Sequence, residues 1–296
     1  MADSKEILAV GSIAFDTIYT NTGERKNILG GSSTYFSIAA AYYSKVSLLG
    51  IVGDDFRKND WDLFAKHNIN IDSVEVCSGS TFSWGCRYNK NYSERETLFT
   101  NLGVFENFKP TIKTKYNNPI LYLGNIQPEL QFDVIKKINN PYLIAGDSMN
   151  LWINLFPNEV IELIKNVNMF LLNDEEAIQL TGMYDLEKIA DLFLSYGPKI
   201  VIIKRGSKGA LLAFDKSKKY ISVVPNTKVI DPTGAGDSFA GGVLGYIANY
   251  GLNNPIDAVV HGTAIASFTV AGFGVEELCK ITDQELFNKI KGIQIR

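Results

Sequence analysis

Short apolar runs recur along the 296-residue chain at intervals that leave room for helices between them. They are "ILAV" at Ile7–Val10, "VSLLGIVG" at Val46–Gly53, "ILYLGN" at Ile120–Asn125, "YLIAGD" at Tyr142–Asp147, "MFLLN" at Met169–Asn173 and "KIVIIK" at Lys199–Lys204. Continuous apolar runs bounded by turn residues read as strands buried on both faces, the pattern of a parallel sheet covered by helices on either side. Helical periodicity fills the gaps, as at Pro128–Ile138 and Val160–Val167. Strand–helix alternation predicts a doubly wound α/β sheet.

One region departs from this. In "TFSWGCRYNKNYSERETLFTNLGVF", Phe82, Trp84, Cys86 and Tyr88 alternate with Thr81, Ser83, Gly85 and Arg87. Period two marks a strand with two unlike faces. The polar turn "NKNYSE" and a second alternating run through Thr97, Phe99 and Asn101 complete a β-hairpin that stands off the main sheet. The strand-like "IAFDTIYT" after the first apolar run is a candidate partner for it. Repeats, low-complexity segments and a dividing linker are all absent.

Composition narrows the classes. Hydrophobic residues make up 46% of the chain and charged residues 21%, as expected of a packed globular core. A net charge of −3 argues against a general nucleic-acid or anionic-membrane surface, while leaving room for a local phosphate pocket. Cys77, Cys86 and Cys279 are scattered, with no CxxC pair, so neither a disulfide framework nor a zinc site is expected. "MADSKEILAV" has too short an apolar run for a signal peptide, and no segment reaches the length of a membrane span. The expectation is a cytoplasmic protein.

The densest chemistry lies in "DPTGAGDSFAGG", Asp231–Gly242. A helix start presents unpaired N–H groups and partial positive charge to an anion. Gly234, Ala235 and Gly236 have almost no side chains to hold an oxyanion away from those groups. Asp237 then sits at the first turn. A carboxylate beside an anion site is unhelpful for binding alone, but it suits a base that takes a proton from a hydroxyl attacking the held group. The same residues also fit a plain strand-to-helix turn with a favourable N-terminal charge. No Gly-Lys dipeptide occurs, which excludes a Walker A loop, and Phe239 spoils a dinucleotide fingerprint.

This motif resembles the C-terminal signature of the ribokinase-like, or PfkB, carbohydrate and nucleoside kinases. Matching segments follow in the family's order: "GGSSTYFSIAAA" at Gly30–Ala41, "GIVGDDF" at Gly50–Phe56, "NDEE" at Asn173–Glu176 and "KRGSKGALL" at Lys204–Leu212. The resemblance implies a single three-layer α/β domain over 1–296, with a mostly parallel central sheet, helices on both faces and a small β lid at about 12–29 and 79–105. It implies an ATP- and Mg2+-dependent kinase that phosphorylates a primary hydroxyl of a sugar or sugar derivative. A nucleoside kinase is the alternative, and a silent ligand sensor the remote one.

The resemblance also implies roles. Asp237 is the catalytic base, with Gly234, Ala235 and Gly236 as the anion hole. Asn173 and Glu176 match the N-x-x-E motif linked to Mg2+ through water; they also make a good helix start, and both readings can hold. Lys204, Gly206 and Gly209 belong to a turn lying against the nucleotide phosphates, and Arg205 stands where relatives often carry Thr or Ser. His261 falls in the region forming one wall of the adenine pocket, or else packs a helix. Asp231 and Thr233 match positions beside a monovalent cation site, K+ in part of the family.

For the acceptor, Asp16 matches an acid that binds hydroxyls, and Gly30-Gly31 a pair that lets the acceptor approach the backbone. Many members have Asn four residues after Gly31; this chain has Tyr35, which either stacks on a ring or packs in the core. Arg87, and less directly Arg95, would suit an anionic acceptor. Asn125, Asp147 and Asn150 lie at or beyond strand ends, where ligands bind in such sheets. Lid strands with one apolar face also point to a homodimer.

Overall fold

The computed structural model describes residues 4–92 and 94–296. Residues 1–3 of the N-terminal segment, and Ser93 in the expected hairpin turn, lie outside the described residues.

The apolar runs form the centre of a nine-stranded sheet. Its strands are β1 (Ile7–Val10), β4 (Val46–Gly53), β5 (Ile69–Cys77), β8 (Ile120–Leu123), β9 (Leu143–Asp147), β10 (Met169–Asn173), β11 (Ile200–Lys204), β12 (Ala210–Phe214) and β13 (Ser217–Ile221). The order is β13-β12-β11-β10-β9-β8-β1-β4-β5, parallel from β11 to β5 and antiparallel at β12 and β13. A separate sheet, ordered β3-β2-β6-β7, joins β2 (Ala14–Thr20), β3 (Gly23–Gly30), β6 (Phe82–Tyr88) and β7 (Arg95–Asn101). Two antiparallel hairpins meet there through the parallel pair β2–β6. "IAFDTIYT" is thus the partner of the hairpin.

The helices are α1 (Ser32–Ala41), α2 (Lys58–Lys66), α3 (Pro128–Lys137), α4 (Asn150–Leu155), α5 (Pro157–Lys165), α6 (Asp174–Thr181), α7 (Leu186–Tyr196), α8 (Ala235–Tyr250), α9 (Pro255–Thr269) and α10 (Asp283–Lys291). Side chains alternate across the main sheet, as strand geometry requires. Ile7, Ala9, Leu171, Ile200 and Ile202 pack with α1, α8 and α9. Leu8, Val10, Leu172, Val201 and Ile203 pack with α3, α5, α6 and α7. The result is three layers, with strands apolar throughout because both faces are covered. This architecture brings the C-terminal ends of β9, β10 and β11 side by side, under the N-terminus of α8.

Candidate active site

Asp147, Asn173 and Lys204 are the last residues of β9, β10 and β11. Lys204 shares a face with Ile200 and Ile202, so it turns toward α8. Its Nζ donates to Asp147 Oδ2 at 2.8 Å, and the Asp147 side chain is only 4% exposed. Burial alone would push the Lys204 ammonium down, but Asp147, Glu176 and Asp237 together hold it above its ordinary value. Asn173 caps α6. Its Oδ1 accepts from the Glu176 N–H at 2.7 Å, while Glu176 Oε2 accepts from the Asn173 N–H at 2.8 Å. This reciprocal capping box uses part of Glu176 and leaves its other oxygen for a ligand. Burial raises the Glu176 carboxyl to about 7, against the opposing pull of Lys204.

Asp231 ties down the loop that precedes α8. Wholly buried, its carboxylate accepts from the N–H of Thr233 at 2.9 Å and of Gly274 at 3.3 Å. Gly234 then turns at φ +74°, a left-handed conformation that favours glycine, and α8 begins. The Ala235 N–H donates to the Pro232 carbonyl at 3.2 Å. The N–H groups of Gly236 and Asp237 have no acceptor among the described residues, as the first turn of a helix dictates. The N–H groups left free to meet an anion are therefore those of Gly236 and Asp237, shaped by Gly234, with Ala235 turned back onto the loop. Asp237 lies beside them. Burial raises its carboxyl to about 8, helped by Asp147 and opposed by Lys204.

Asp16 faces this turn from β2. It is 3% exposed, and burial raises its carboxyl to about 7 even though the Gly31 N–H donates to it. A Cβ on Gly30 would lie 1.9 Å from Asp16 Oδ2, and one on Gly31 (φ +92°) 2.5 Å from the Ser12 carbonyl. The glycine pair is what lets Asp16 and the backbone close up. Tyr35, from α1, packs in the core rather than offering a stacking face: it is 1% exposed, and its ring underlies Gly234.

On the small sheet, Trp84 pairs with Asp16 and Cys86 with Ile18, so these residues look inward. Tyr88 follows, and its hydroxyl lies 3.1 Å from Thr233 Oγ1. The Tyr92 and Thr22 hydroxyls both donate to the Ile230 carbonyl, at 3.2 and 3.3 Å. The hairpin tips thus grip the loop that leads into α8.

The other expected residues lie around this group or away from it. Alternation sends Arg87 outward, opposite to Cys86 and Tyr88; it stacks over Tyr19 at 5.3 Å and lies 3.8 Å from Glu96, both charged partners exposed. Arg95, the cross-strand partner of Tyr88, takes the inward face and sits 5.1 Å over Trp84. His261 is occupied by Tyr43, whose hydroxyl is 2.8 Å from Nδ1, and by Tyr246. Tyr246 is about 13 Å along α8 from Asp237 at 1.5 Å per residue. Arg205 alternates away from Lys204 and lies over Tyr220 at 5.0 Å. Asn125 stays at the end of β8, but its Oδ1 accepts from the Trp152 indole N–H at 2.9 Å. Asn150 opens α4, its carbonyl accepting from Gln179. Gly206 and Gly209 bound the β11–β12 turn with φ of +51° and +84°. Tyr122 was not anticipated: this buried phenol lies within reach of the charges on Asp147 and Asp237. Its only signal is a Tyr inside the otherwise aliphatic "ILYL".

Among the described residues no three His, Cys, Asp or Glu side chains gather as a metal cage. Phosphate-linked Mg2+ needs no such cage, since one or two carboxylates, waters and the phosphates suffice. Asp147 and Glu176 meet that requirement. No helix among the described residues is long and apolar enough to cross a membrane.

The profile of the pfkB family of carbohydrate kinases matches residues 4–282. The chain belongs to this family. As a member it is a phosphotransferase of the sugar- and nucleoside-kinase class. It is 26% identical to a cytidine kinase of Thermococcus kodakarensis over 86% of this chain and 92% of that one. It is 25% identical to a nucleoside kinase of Methanocaldococcus jannaschii, over 92% of each. The crystal structure of the Methanocaldococcus jannaschii nucleoside kinase superposes with a TM-score of 0.77 at 22% identity, covering 98% of this chain and 99% of that one. A Burkholderia thailandensis nucleoside kinase in complex with ADP and inosine gives 0.79 at 18% identity, covering 96% and 95%.

Proposed function

We propose that the chain transfers the γ-phosphoryl group of ATP to the primary hydroxyl of a ribosyl acceptor, a nucleoside ahead of a bare sugar. The observation that carries this reading is the buried Asp237 carboxyl beside two unpartnered N–H groups at the start of α8. Asp237 takes the proton of the attacking hydroxyl. The Gly236 and Asp237 N–H groups receive the oxygens of the phosphoryl group, and Lys204 supplies positive charge beneath them. A base with a pKa near working pH is both deprotonated often enough and basic enough to act.

Asp147 and Glu176, with Asn173, would hold Mg2+ through water, and the ion's charge would offset that on the phosphates. Gly206 and Gly209 would lie against the nucleotide, and K+ would use carbonyls around Asp231 and Thr233. Asp16 would accept from the acceptor's hydroxyls. The nucleoside preference rests on the inward face of the small sheet, where Trp84, covered by Arg95, neighbours Asp16 and offers a flat surface for a base. The long-coverage relatives, a cytidine kinase and a nucleoside kinase, support it. A simple sugar is the second reading, supported by the family's own description.

The small sheet acts as a lid, and its outward face carries Tyr19, Arg87 and a partly exposed Phe99, a surface suited to a second copy of the chain. The three free cysteines fit a reducing cytoplasm. The direct test is ADP release from ATP and Mg2+ with cytidine, inosine, adenosine, D-ribose or D-fructose. Stimulation by nucleosides supports the first reading. Stimulation by D-fructose or D-ribose alone replaces it with the second, and stimulation by none of them rejects both.

A further inference from the structure

Beside β13, at the edge of the main sheet, lies a cavity of about 400 Å3 lined by Arg205, Lys208, Tyr220, Ser222, Gln294 and Arg296. Three of these are cationic, and none of the three belongs to an ion pair among the described residues. Strand pairing makes them converge. The Tyr220 N–H donates to the Arg296 carbonyl at 3.0 Å and the Arg296 N–H donates back at 2.9 Å, so the two side chains share one face. The Arg205 guanidinium lies over the same Tyr220 ring at 5.0 Å. Tyr220 is itself anchored, its hydroxyl donating to Glu187 on α7 at 2.9 Å. Lys208 joins them from the β11–β12 turn.

Arg205 is the informative residue. It is half-buried, its Nε is sealed from solvent, and that N–H has no acceptor among the described residues. Arg57, by contrast, places its Nε, Nη1 and Nη2 on Asp60 and the Asn27 carbonyl. A buried donor without a partner calls for an explanation, and a guanidinium held flat on a ring is a fork shaped for an oxyanion. The carboxylates whose charge reaches Tyr220 are Glu187 and Asp185; Tyr220 holds the first, and the second caps α7.

We propose that this cavity is a second anion site, separate from the turn before α8, for a small phosphate-bearing ligand with at least two negative charges. The sheet divides the two places. Lys204 turns toward α8, whereas Tyr220 pairs with Leu211, which packs on the α7 side, and Arg205 follows Tyr220. Three converging cations suit more than one negative charge, and the Arg205 and Arg296 forks suit phosphate oxygens. A net charge of −3 disfavours a long nucleic-acid backbone, leaving a small anion as the occupant. A bound phosphate would tie the β11–β12 turn to β13 and to the segment holding Gln294 and Arg296.

The test titrates pyrophosphate, and separately ribose 5-phosphate, into wild type, Arg205→Gln, Arg205→Lys and Arg296→Gln, reading affinity by calorimetry and amide exchange by mass spectrometry. In wild type the ligand should slow exchange across 205–209, 219–222 and 294–296, and the effect should fade as salt is raised. The start of α8 is read in the same spectra, which tells binding at that turn apart from binding here. Arg205→Gln and Arg296→Gln should each weaken binding about 10-fold or more, the loss of a charge-assisted hydrogen bond. Arg205→Lys should also bind more weakly than wild type, because it keeps the charge and loses the fork. The exchange map of wild type needs no variant to fold. Whichever ligand acts at the lower concentration shows whether free or sugar-borne phosphate is the better occupant. Slowing confined to the start of α8, no slowing with either ligand, or an Arg205→Lys variant that binds like wild type overturns the inference. None of these outcomes depends on phosphoryl transfer, so the kinase reading is tested separately.

Discussion

In its proposed role, Asp237 meets two opposed demands, since a base must lose its proton while burial favours keeping it. Its carboxyl is held at about 8 against an ordinary 3.8, so the folded chain retains a proton that the unfolded chain releases between those values. That stabilisation is complete below the unfolded value and is lost as pH rises through the folded one. Asp237→Asn stays neutral throughout. Its melting temperature should therefore gain on the wild type as pH is raised from about 5 to about 9, a trend that differential scanning across pH would follow. Lys204→Met strips the buried Asp147 of its partner and should cost about 3 kcal/mol or more at alkaline pH. The cost should shrink near about pH 5, where Glu176 and Asp237 hold their protons; urea titrations at both pH values would measure it. The placement of Asp237, Asn173 and Glu176 at helix starts was legible because it follows from local capping signals. Arg87 was not, because alternation separates two faces without saying which one looks inward. That is settled only when β2 pairs with β6 and Trp84 falls beside Asp16. His261 was illegible for a related reason: α9 is apolar all round, so its sequence marks no face.

The strands that were plain in the sequence are those buried on both sides, β1, β4 and β8 to β11, because an uninterrupted apolar run has few other uses. Strands at sheet edges were harder to see. β5, β13 and the exposed length of β3 mix charges with apolar residues, as edge strands do when they must not pair further. The turn before α8 was legible as a helix start, but which N–H groups it leaves free was not, because that depended on Pro232 capturing that of Ala235. Gly234→Ala should show how tightly that turn is held. The φ of +74° and the 2.3 Å approach of a new Cβ to Tyr35 should together cost about 2–4 kcal/mol. A chemical denaturation curve would register this as a lower midpoint. The grip of the hairpins can be loosened without touching the turn. Tyr88→Phe removes the contact to Thr233, worth about 1 kcal/mol. Amide exchange across β6 and β7 should quicken accordingly, while α8 keeps its protection.

The site as assembled joins residues from β2, α1, β9, β10, α6, β11 and α8, and what unites them is the winding of the sheet. Parallel strands bring Asp147, Asn173 and Lys204 to one edge, α8 lays Asp237 over them, and the small sheet closes from above with Asp16. Three carboxyls, Asp16, Glu176 and Asp237, are raised by the same enclosure, so the free site as a whole favours fewer negative charges. Activity should reflect this. The kcat/KM profile for the acceptor should climb with pH toward a plateau above about 8, the value for Asp237 in the free protein. Bound cations favour the ionised form, so the kcat profile should level off at lower pH.

The most direct measurement is single-turnover phosphoryl transfer from ATP with Mg2+ and the preferred acceptor, comparing wild type with Asp237→Asn, and with nucleotide affinity measured in parallel. The account predicts a fall of about 10²- to 10⁴-fold in transfer rate, loss of the rising pH limb, and nucleotide binding close to wild type. An Asn variant that transfers phosphate at the wild-type rate, with the same pH dependence, would contradict it.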